Sequence, residues 1–592
     1  MKILLNIFIA LITLSLARSQ SVSDNWLTYY EQSGFKKTPR YDETMQYCRR
    51  LEKASPWIKV TTFGKSPEGR DLILVVISKD GAFDPKKVHK TDKAILLVQN
   101  GIHSGEIDGK DACLMLLRDI AITKTKSSLL DHAILLVIPI YNVDGHERFG
   151  PYNRINQNGP EEMGWRVTGQ NLNLNRDYMK ADAPETQAWL KMFNEWLPDM
   201  FIDAHVTDGA DYQHIVTLGI EKHQNLPEPV RSWVMEKFVP ILSSLKTNGI
   251  PVAPYISLRD HEDPLKGTQG GVAPPRLSTP YVAIQNRPAL LIETHMLKDY
   301  KSRVEGTYQT IVAVMDLMNK EYKSLRTAVK QTDERTIKNI ENPFPIRFET
   351  TETPNGIFHY LGFKQKNERS DVSGSTRVIY TKEPFEADIP TYDSVIVSKS
   401  VELPKAYLIP PQWQEVIKRL RIHGVKIERL KKPAELEVEI YKFSNAKWQQ
   451  NPYEGRHSVT YSVEKITEQR AFPAGTALVR LNQRAARVAI NALEPEAPDA
   501  FVAWGFFAAI FEQKEYTEDY VMEPMAREML SRDVALKEEF ETKLKSDTAF
   551  AKSSFARLNF FYQHSPYWDK NINLYPVARL VKDVHLITDK ED

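Results

Sequence analysis

Apolar and polar positions fall into long blocks over the first part of the chain. Fully apolar runs at residues 94–98 (AILLV) and 133–140 (AILLVIPI) predict strands buried on both faces. DMFIDAHV at 199–206 and RPALLIETH at 287–295 have the same texture and predict two more. Between them, apolar residues recur at helical spacing over 112–122, 184–196, 224–248 and 303–322, with Pro184 placed to open the second of these helices. Two shorter strand patterns, 57–62 and 72–78, are joined by GKSPEGRD, which predicts a hairpin. Residues 21–55 are polar with helix-like spacing of Met45, Cys48 and Leu51. The segments 150–170 and 251–280 are rich in Gly and Pro and predict long loops of the kind that border a site. Strands alternating with helices give an α/β class: a mostly parallel mixed sheet flanked by helices.

The texture changes after residue 325. The stretch 326–345 is charged and then proline-bearing, and is expected to be a linker. An accessory region of mixed α/β character follows at 346–592, strand-rich first (377–381, 395–398, and 436–442 with alternating Leu436, Val438 and Ile440) and helical last (486–511, 520–552), with a helix at 411–423 between. FVAWGFFAAIF at 501–511 is too apolar to face water. It either packs on the preceding region or forms a core of its own.

Length and composition narrow the class. A chain of 592 residues corresponds to about three domain-sized units. With 78 basic and 77 acidic side chains, the formal charge of +1 gives no electrostatic reason to expect nucleic acid or an anionic membrane as partner. Residues 1–19 have the form of a signal peptide: Lys2, an apolar stretch 3–16, then Ala17-Arg18-Ser19, so that the mature chain begins near Gln20. The apolar stretch is shorter than the roughly 20 residues a spanning helix needs. A secreted or periplasmic protein with no membrane span after cleavage is expected. Cys48 and Cys113 permit at most one bridge, so no disulfide framework holds the fold. Cys113 is expected to be a buried free thiol, and so little cystine fits a bacterial periplasm or its surroundings. Oligomeric state has no signature here.

Each strong strand ends in polar residues with chemical reach. The strand at 94–98 runs into a turn with His103 and Glu106, that at 133–140 into Asn142 and Asp144, that at 199–206 onto His205, and that at 287–295 onto Glu293. Open parallel sheets bind ligands beyond the carboxyl ends of their strands. If these strands are neighbours, His103, Glu106 and His205 supply the three protein ligands of a catalytic zinc. Glu293 is then spare, and zinc hydrolysis needs a base to take a proton from water.

Residues 42–322 resemble the zinc carboxypeptidases of the M14 metallopeptidase class. The resemblance rests on FGKSPEGRDL, GIHSGE, NVDG, NLNR, the strand to His205, and LIETH. It implies a zinc carboxypeptidase-like catalytic domain at 20–325 and one zinc per chain on His103, Glu106 and His205. It also implies Glu293 as general base, and Asn175 with Arg176 gripping the terminal carboxylate of a peptide. The family places a carboxylate just before the Asn-Arg pair to orient a metal-bound histidine. Asn173 stands there in this chain, so either its amide oxygen serves or Asp144 takes over. Arg166 is the candidate for stabilising the oxyanion, with Arg154 as rival. Tyr281 is the candidate for the family's mobile tyrosine. His214, His223, His261 and His295 have no matched role and are read as structural or solvated. Asp208 and Asp211 either favour a basic substrate side chain or belong to a solvated loop.

The expected activity is that of an exported zinc metallopeptidase, hydrolysing the C-terminal bond of peptides that carry a free C-terminus by a zinc-bound water and a glutamate base. The alternatives within the class are a cell-wall peptide hydrolase and a small-amide deacylase. Outside it stands a non-catalytic surface binding protein, which has no need of Glu293.

Overall fold

The computed structural model describes residues 24–590. The signal-peptide reading of 1–19 lies outside the described residues. The first region is built on an eight-stranded sheet in the order β1-β2-β4-β3-β5-β9-β6-β7. Its strands are β1 (Ile58–Lys65), β2 (Asp71–Ile77), β3 (Ala94–Asn100), β4 (Ala133–Ile138), β5 (Met200–Thr207), β6 (Val216–Ile220), β7 (Val252–Pro254) and β9 (Ala289–His295). The intervening β8 (Thr268–Gln269) belongs to another sheet.

The central strands β4, β3, β5 and β9 are mutually parallel. Every residue of β3, β4 and β5 is buried, which is why these sequences read as unbroken apolar runs. β1 and β2 form the expected hairpin at one edge. At the other, β6 pairs antiparallel with β9 and parallel with β7, an addition that the sequence pattern did not call for. The helices Asp108–Ala121, Pro184–Trp196 and Tyr300–Asn339 flank the sheet. The first begins four residues earlier than its apolar spacing indicates, because Asp108 is itself buried and bound by Arg303 at 2.9 Å. The 224–248 segment is a chain of short pieces (Val230–Trp233, Val234–Phe238, Ile241–Thr247), not one helix.

The linker expected at 326–345 is corrected. The helix that starts at Tyr300 runs unbroken to Asn339, and only a few residues separate it from β10 (Phe344–Thr350). Its charged last turns are amphipathic. Val329, Thr332 and Thr336 are buried, and Asp333 receives both Nη1 and Nη2 of Arg287 at 2.9 Å.

Beyond it, β10 pairs with β13 (Val395–Val401), while β11 (Gly356–Arg369) and β12 (Thr376–Tyr392) form a long hairpin. β12 continues onto β8 of the first region, in parallel register Thr391↔Thr268 and Tyr392↔Gln269. A seven-stranded sheet follows within 406–590, and the helices of 519–563 close round their own cluster of Phe540, Phe550, Phe560 and Phe561. The helices of 519–563 follow most of the strands, but the last strands, Ala578–Leu580 and Thr588–Lys590, come after them and return to the seven-stranded sheet. One hydrophobic core crosses from Trp189, Phe193 and Tyr281 to Tyr407, Phe501 and Phe507, so the 501–511 segment packs against the first region. Among the described residues no helix is long and apolar enough to cross a membrane.

Candidate metal centre and active site

The chain leaves β3 through Gly101, whose φ of +66° is the left-handed turn that favours glycine. It enters the next helix past Gly109, where a Cβ would stand 2.2 Å from Asn100 Oδ1 and 2.6 Å from Ala204 Cβ. This tight passage hangs His103 and Glu106 over the carboxyl end of the sheet. His205 sits near the end of the adjacent β5. Potential ligand atoms of His103, Glu106 and His205 all lie within 4.8 Å of one another, and all three residues are buried.

Both imidazoles are turned the same way. His103 Nδ1 lies 3.1 Å and His205 Nδ1 3.0 Å from Glu106 Oε2, while each Nε2 is tied back to an oxygen. For His205 that oxygen is Asp203 Oδ2 at 2.8 Å; for His103 it is Asn173 Oδ1 at 3.1 Å. The Asn175 N–H also donates to Asn173 Oδ1 (3.0 Å), which fixes the amide with its oxygen toward His103. Two Nδ1 atoms and a carboxylate, converging and braced from behind, form a donor set that suits zinc, and this is the arrangement of a three-ligand site.

The electrostatics of the cluster follow from burial and from the charges packed together in it. Burial pushes the His103 imidazole down to about 4 and so keeps it neutral. Burial acts against the charged form of His205 too, but Asp203, Glu106 and Glu293 outweigh it and hold this imidazole well above its ordinary value. Glu106 is buried, yet His103 and Arg154 keep its carboxyl well below the usual range. Arg154 Nη2 and Arg166 Nη1 share Glu106 Oε1 at 2.9 and 3.1 Å. The rivals for the oxyanion role thus stand side by side.

Glu293 enters from β9, in register with His205 across a parallel ladder, so both side chains leave the same face. Its Oε2 is buried without a hydrogen-bond partner. Burial raises its carboxyl to about 8; His205 opposes this, and Glu106, Asp203 and Asp208 add to it. Glu293, the three ligands, Arg154, Arg166, Asn175 and Arg176 all line one cavity of about 1240 Å³. Asn175 is held in place by the Ser278 N–H, which donates to its Oδ1 at 3.0 Å, and Arg176 Nη1 donates to the Asn175 carbonyl at 2.7 Å. The accessory region supplies part of the wall through Phe348, Thr350, Asn355, Ile357, Phe358 and Asp393. Its Glu454 also accepts the Asn173 N–H at 3.1 Å, 281 residues away in sequence.

Two expectations are corrected. Tyr281 does not reach the cavity. It is fully buried in the helix Ser278–Ile284, its hydroxyl 2.8 Å from His423 Nδ1 and from Gln285 Nε2, so it cannot close over a substrate. Asp144 does not brace a histidine. It accepts Ser66 Oγ (2.6 Å), the Glu68 N–H (3.1 Å) and Arg70 Nη1 (2.8 Å), and so locks the β1–β2 turn to the NVDG turn. Asn173 is the residue on His103. The unmatched histidines stand apart from the centre: His214 and His295 are buried elsewhere, His261 is exposed, and His223 pairs with Asp393 at 3.0 Å on the cavity wall.

Asp203 was missed by sequence reasoning. Its signal was present, since a residue two before His205 on a strand shares its face. Ser278 Oγ (2.5 Å) and Gln99 Nε2 (3.0 Å) both donate to it.

Comparison with known proteins adds the following. "Carboxypeptidase 2" of Trichophyton rubrum is 24% identical over 493 residues, covering 79% of this chain and 84% of its own. The Trichophyton equinum protein of the same name is 26% identical over 481 residues, with the same coverage. The inactive metallocarboxypeptidase ECM14 of Saccharomyces cerevisiae is 25% identical over 217 residues, 32% of this chain and 48% of its own. A solved metallo-carboxypeptidase from Burkholderia cenocepacia overlays 47% of this chain and 69% of its own, at 15% identity and a TM-score of 0.35. Residues 44–212, which contain His103, Glu106 and His205, match the family model described as zinc carboxypeptidase, Peptidase_M14. Residues 44–212 are thus similar to the M14 zinc carboxypeptidases, and most of the chain is similar to proteins described as carboxypeptidase 2.

Proposed function

We propose that the protein removes the C-terminal residue from peptides with a free carboxylate, with zinc held by His103, Glu106 and His205 and with Glu293 as the general base. The observation that carries this reading is the in-register pair His205↔Glu293, which sets an unpartnered buried carboxylate oxygen beside the ligand cage. When bound, zinc supplies Lewis-acid activation of water and polarises the scissile carbonyl.

The chain's own residues supply the rest. Glu293 accepts the proton of the attacking water and passes it to the leaving amine. Burial holds its carboxyl up, and the neighbouring His205 favours the anion that can take that proton. Arg154 and Arg166 bring guanidinium charge to the oxyanion. Arg176 and Asn175 receive the substrate carboxylate, a task for which a planar fork suits better than an ammonium. Asp203 and Asn173 hold the two imidazoles in the tautomer that presents Nδ1. Export is proposed on the pattern of residues 1–19.

Glu293→Gln tests the assignment. The variant should keep one zinc per chain and the same melting temperature while losing turnover by roughly 10²–10⁴-fold. Near-normal kcat in that variant would place the base elsewhere.

A further inference from the structure

One turn of the accessory region reaches the support of the ligand cage. The strands Ala434–Trp448 and Val459–Phe472 pair antiparallel, and the chain between them reverses at Tyr453–Arg456. There the Tyr453 N–H donates to the Arg456 carbonyl at 2.8 Å, and the Arg456 N–H returns to the Tyr453 carbonyl at 3.1 Å. The two residues between, Glu454 and Gly455, both have positive φ, +50° and +78°. A two-residue turn of that kind favours Asn-Gly, because a short amide tolerates the left-handed region and a longer side chain adopts it at a cost. Gly455 meets the rule at the second position, and Glu454 breaks it at the first. A residue held against its backbone preference points to a task for its end group.

That end group crosses to the first region. Glu454 Oε2 accepts the Asn173 N–H at 3.1 Å. Asn173 heads the short turn Leu174–Arg176. Its carbonyl accepts the Arg176 N–H at 3.0 Å, and its Oδ1 accepts the Asn175 N–H at 3.0 Å and stands 3.1 Å from His103 Nε2. One residue thus sets the tilt of a ligand imidazole and begins the turn that brings Asn175 and Arg176 to the cavity. The accessory turn is itself firmly seated. Arg456 Nε and Nη2 donate to Asp182 Oδ2 and Oδ1, both at 2.7 Å, and the Tyr453 ring stacks on Trp504 with centroids 6.0 Å apart. These anchors do not involve the Glu454 carboxylate.

The geometry points to Glu454 as a positioning residue for the metal centre, lent by the accessory region and acting through Asn173 on His103 and on the Asn175–Arg176 pair. This rests on the zinc cage proposed above, and zinc affinity tests it without turnover. Glu454→Asn suits the turn better but is shorter by one carbon–carbon bond of about 1.5 Å, which takes its acceptor out of hydrogen-bond range of Asn173. Glu454→Gln keeps both the reach and an acceptor oxygen. For the full-length wild type and both variants, zinc dissociation constants come from chelator competition, stability from melting curves of the metal-free proteins, and KM and kcat from a peptide acid at saturating zinc. Glu454→Asn should melt at or above the wild-type temperature, yet bind zinc about 3–10-fold more weakly, less than the 10–100-fold of a group that touches the ligand itself. Its KM should rise more than its kcat falls, because Asn175 and Arg176 grip the substrate. Glu454→Gln should return zinc affinity and KM to near wild type. Wild-type zinc affinity and KM in Glu454→Asn, or a Glu454→Gln as impaired as Glu454→Asn, overturns the proposal. So does weaker zinc binding that comes only with a lowered metal-free melting temperature, which is the mark of a merely structural role. A wild type that binds no zinc removes the cage itself, and this role with it.

Discussion

Asp203→Asn separates the support of the metal cage from the fold. Asp203 is fully buried and takes three donors: His205 Nε2 at 2.8 Å, Ser278 Oγ at 2.5 Å and Gln99 Nε2 at 3.0 Å. An asparagine fits the same space. Its oxygen can still face His205 and Ser278, which leaves its NH₂ facing Gln99. Gln99 can flip to meet it, since Tyr178 OH stands beside both ends of that amide, at 3.1 Å from Nε2 and 3.2 Å from Oε1. Packing is thus preserved, and the loss is the negative charge behind His205. That charge is the main influence raising the basicity of the imidazole, and a less basic nitrogen is a poorer zinc donor. Removing an outer partner of this kind weakens metal binding by about 10–100-fold, or about 1.4–2.7 kcal/mol. Zinc dissociation constants from competition with a chromophoric chelator, beside melting curves of the metal-free proteins, would measure it. The expected result is a metal-free melting temperature close to wild type with weaker zinc binding. Unchanged zinc affinity would refute the reasoning.

Tyr281→Phe should leave kcat/KM for a standard peptide unaltered while costing about 1–3 kcal/mol of stability in denaturant titration, because His423 Nδ1 and Gln285 lose a buried partner; a large loss of kcat at unchanged stability would return Tyr281 to the active site. A chain ending at Asn339 should fail to give a soluble, active protein, because Trp189 and Tyr281 would lose Tyr407, Phe501 and Phe507 from their core and Asn173 would lose Glu454. Limited proteolysis that releases a stable, active 20–325 fragment would contradict that.

What could be read from the sequence follows the range of the interactions involved. β3, β4 and β5 are buried on both faces, so their apolar runs announce them, and each delivers its terminal residues to the same edge of the sheet. The cage of His103, Glu106 and His205 follows from that geometry together with the donor chemistry. β6 was not legible: it is five residues, interrupted by Gly219, and becomes a strand only by pairing with β9. The last turns of the Tyr300–Asn339 helix resemble a linker because small polar residues, Thr332 and Thr336, fill the buried positions where apolar ones were sought. Tyr281 lies near Glu293 in sequence, but chain distance does not say which side of a helix faces the cavity. Asp144 has a fixed role only because the fold brings Ser66 and Arg70 to it. The reach of Glu454 to Asn173 connects two regions that no local pattern relates.

The central claim is that the zinc-loaded protein cuts at the C-terminus and demands a free carboxylate there. Mass spectrometry of matched peptide acids and peptide amides, incubated with the zinc-loaded full chain, tests it directly. An amide leaves the Arg176 guanidinium without its charged partner, and discrimination by such unmet bonds can reach about 10³-fold or more. The acid should lose its C-terminal residue while the amide stays intact on the same time scale. Equal cleavage of acid and amide, or cleavage at internal bonds, would contradict it.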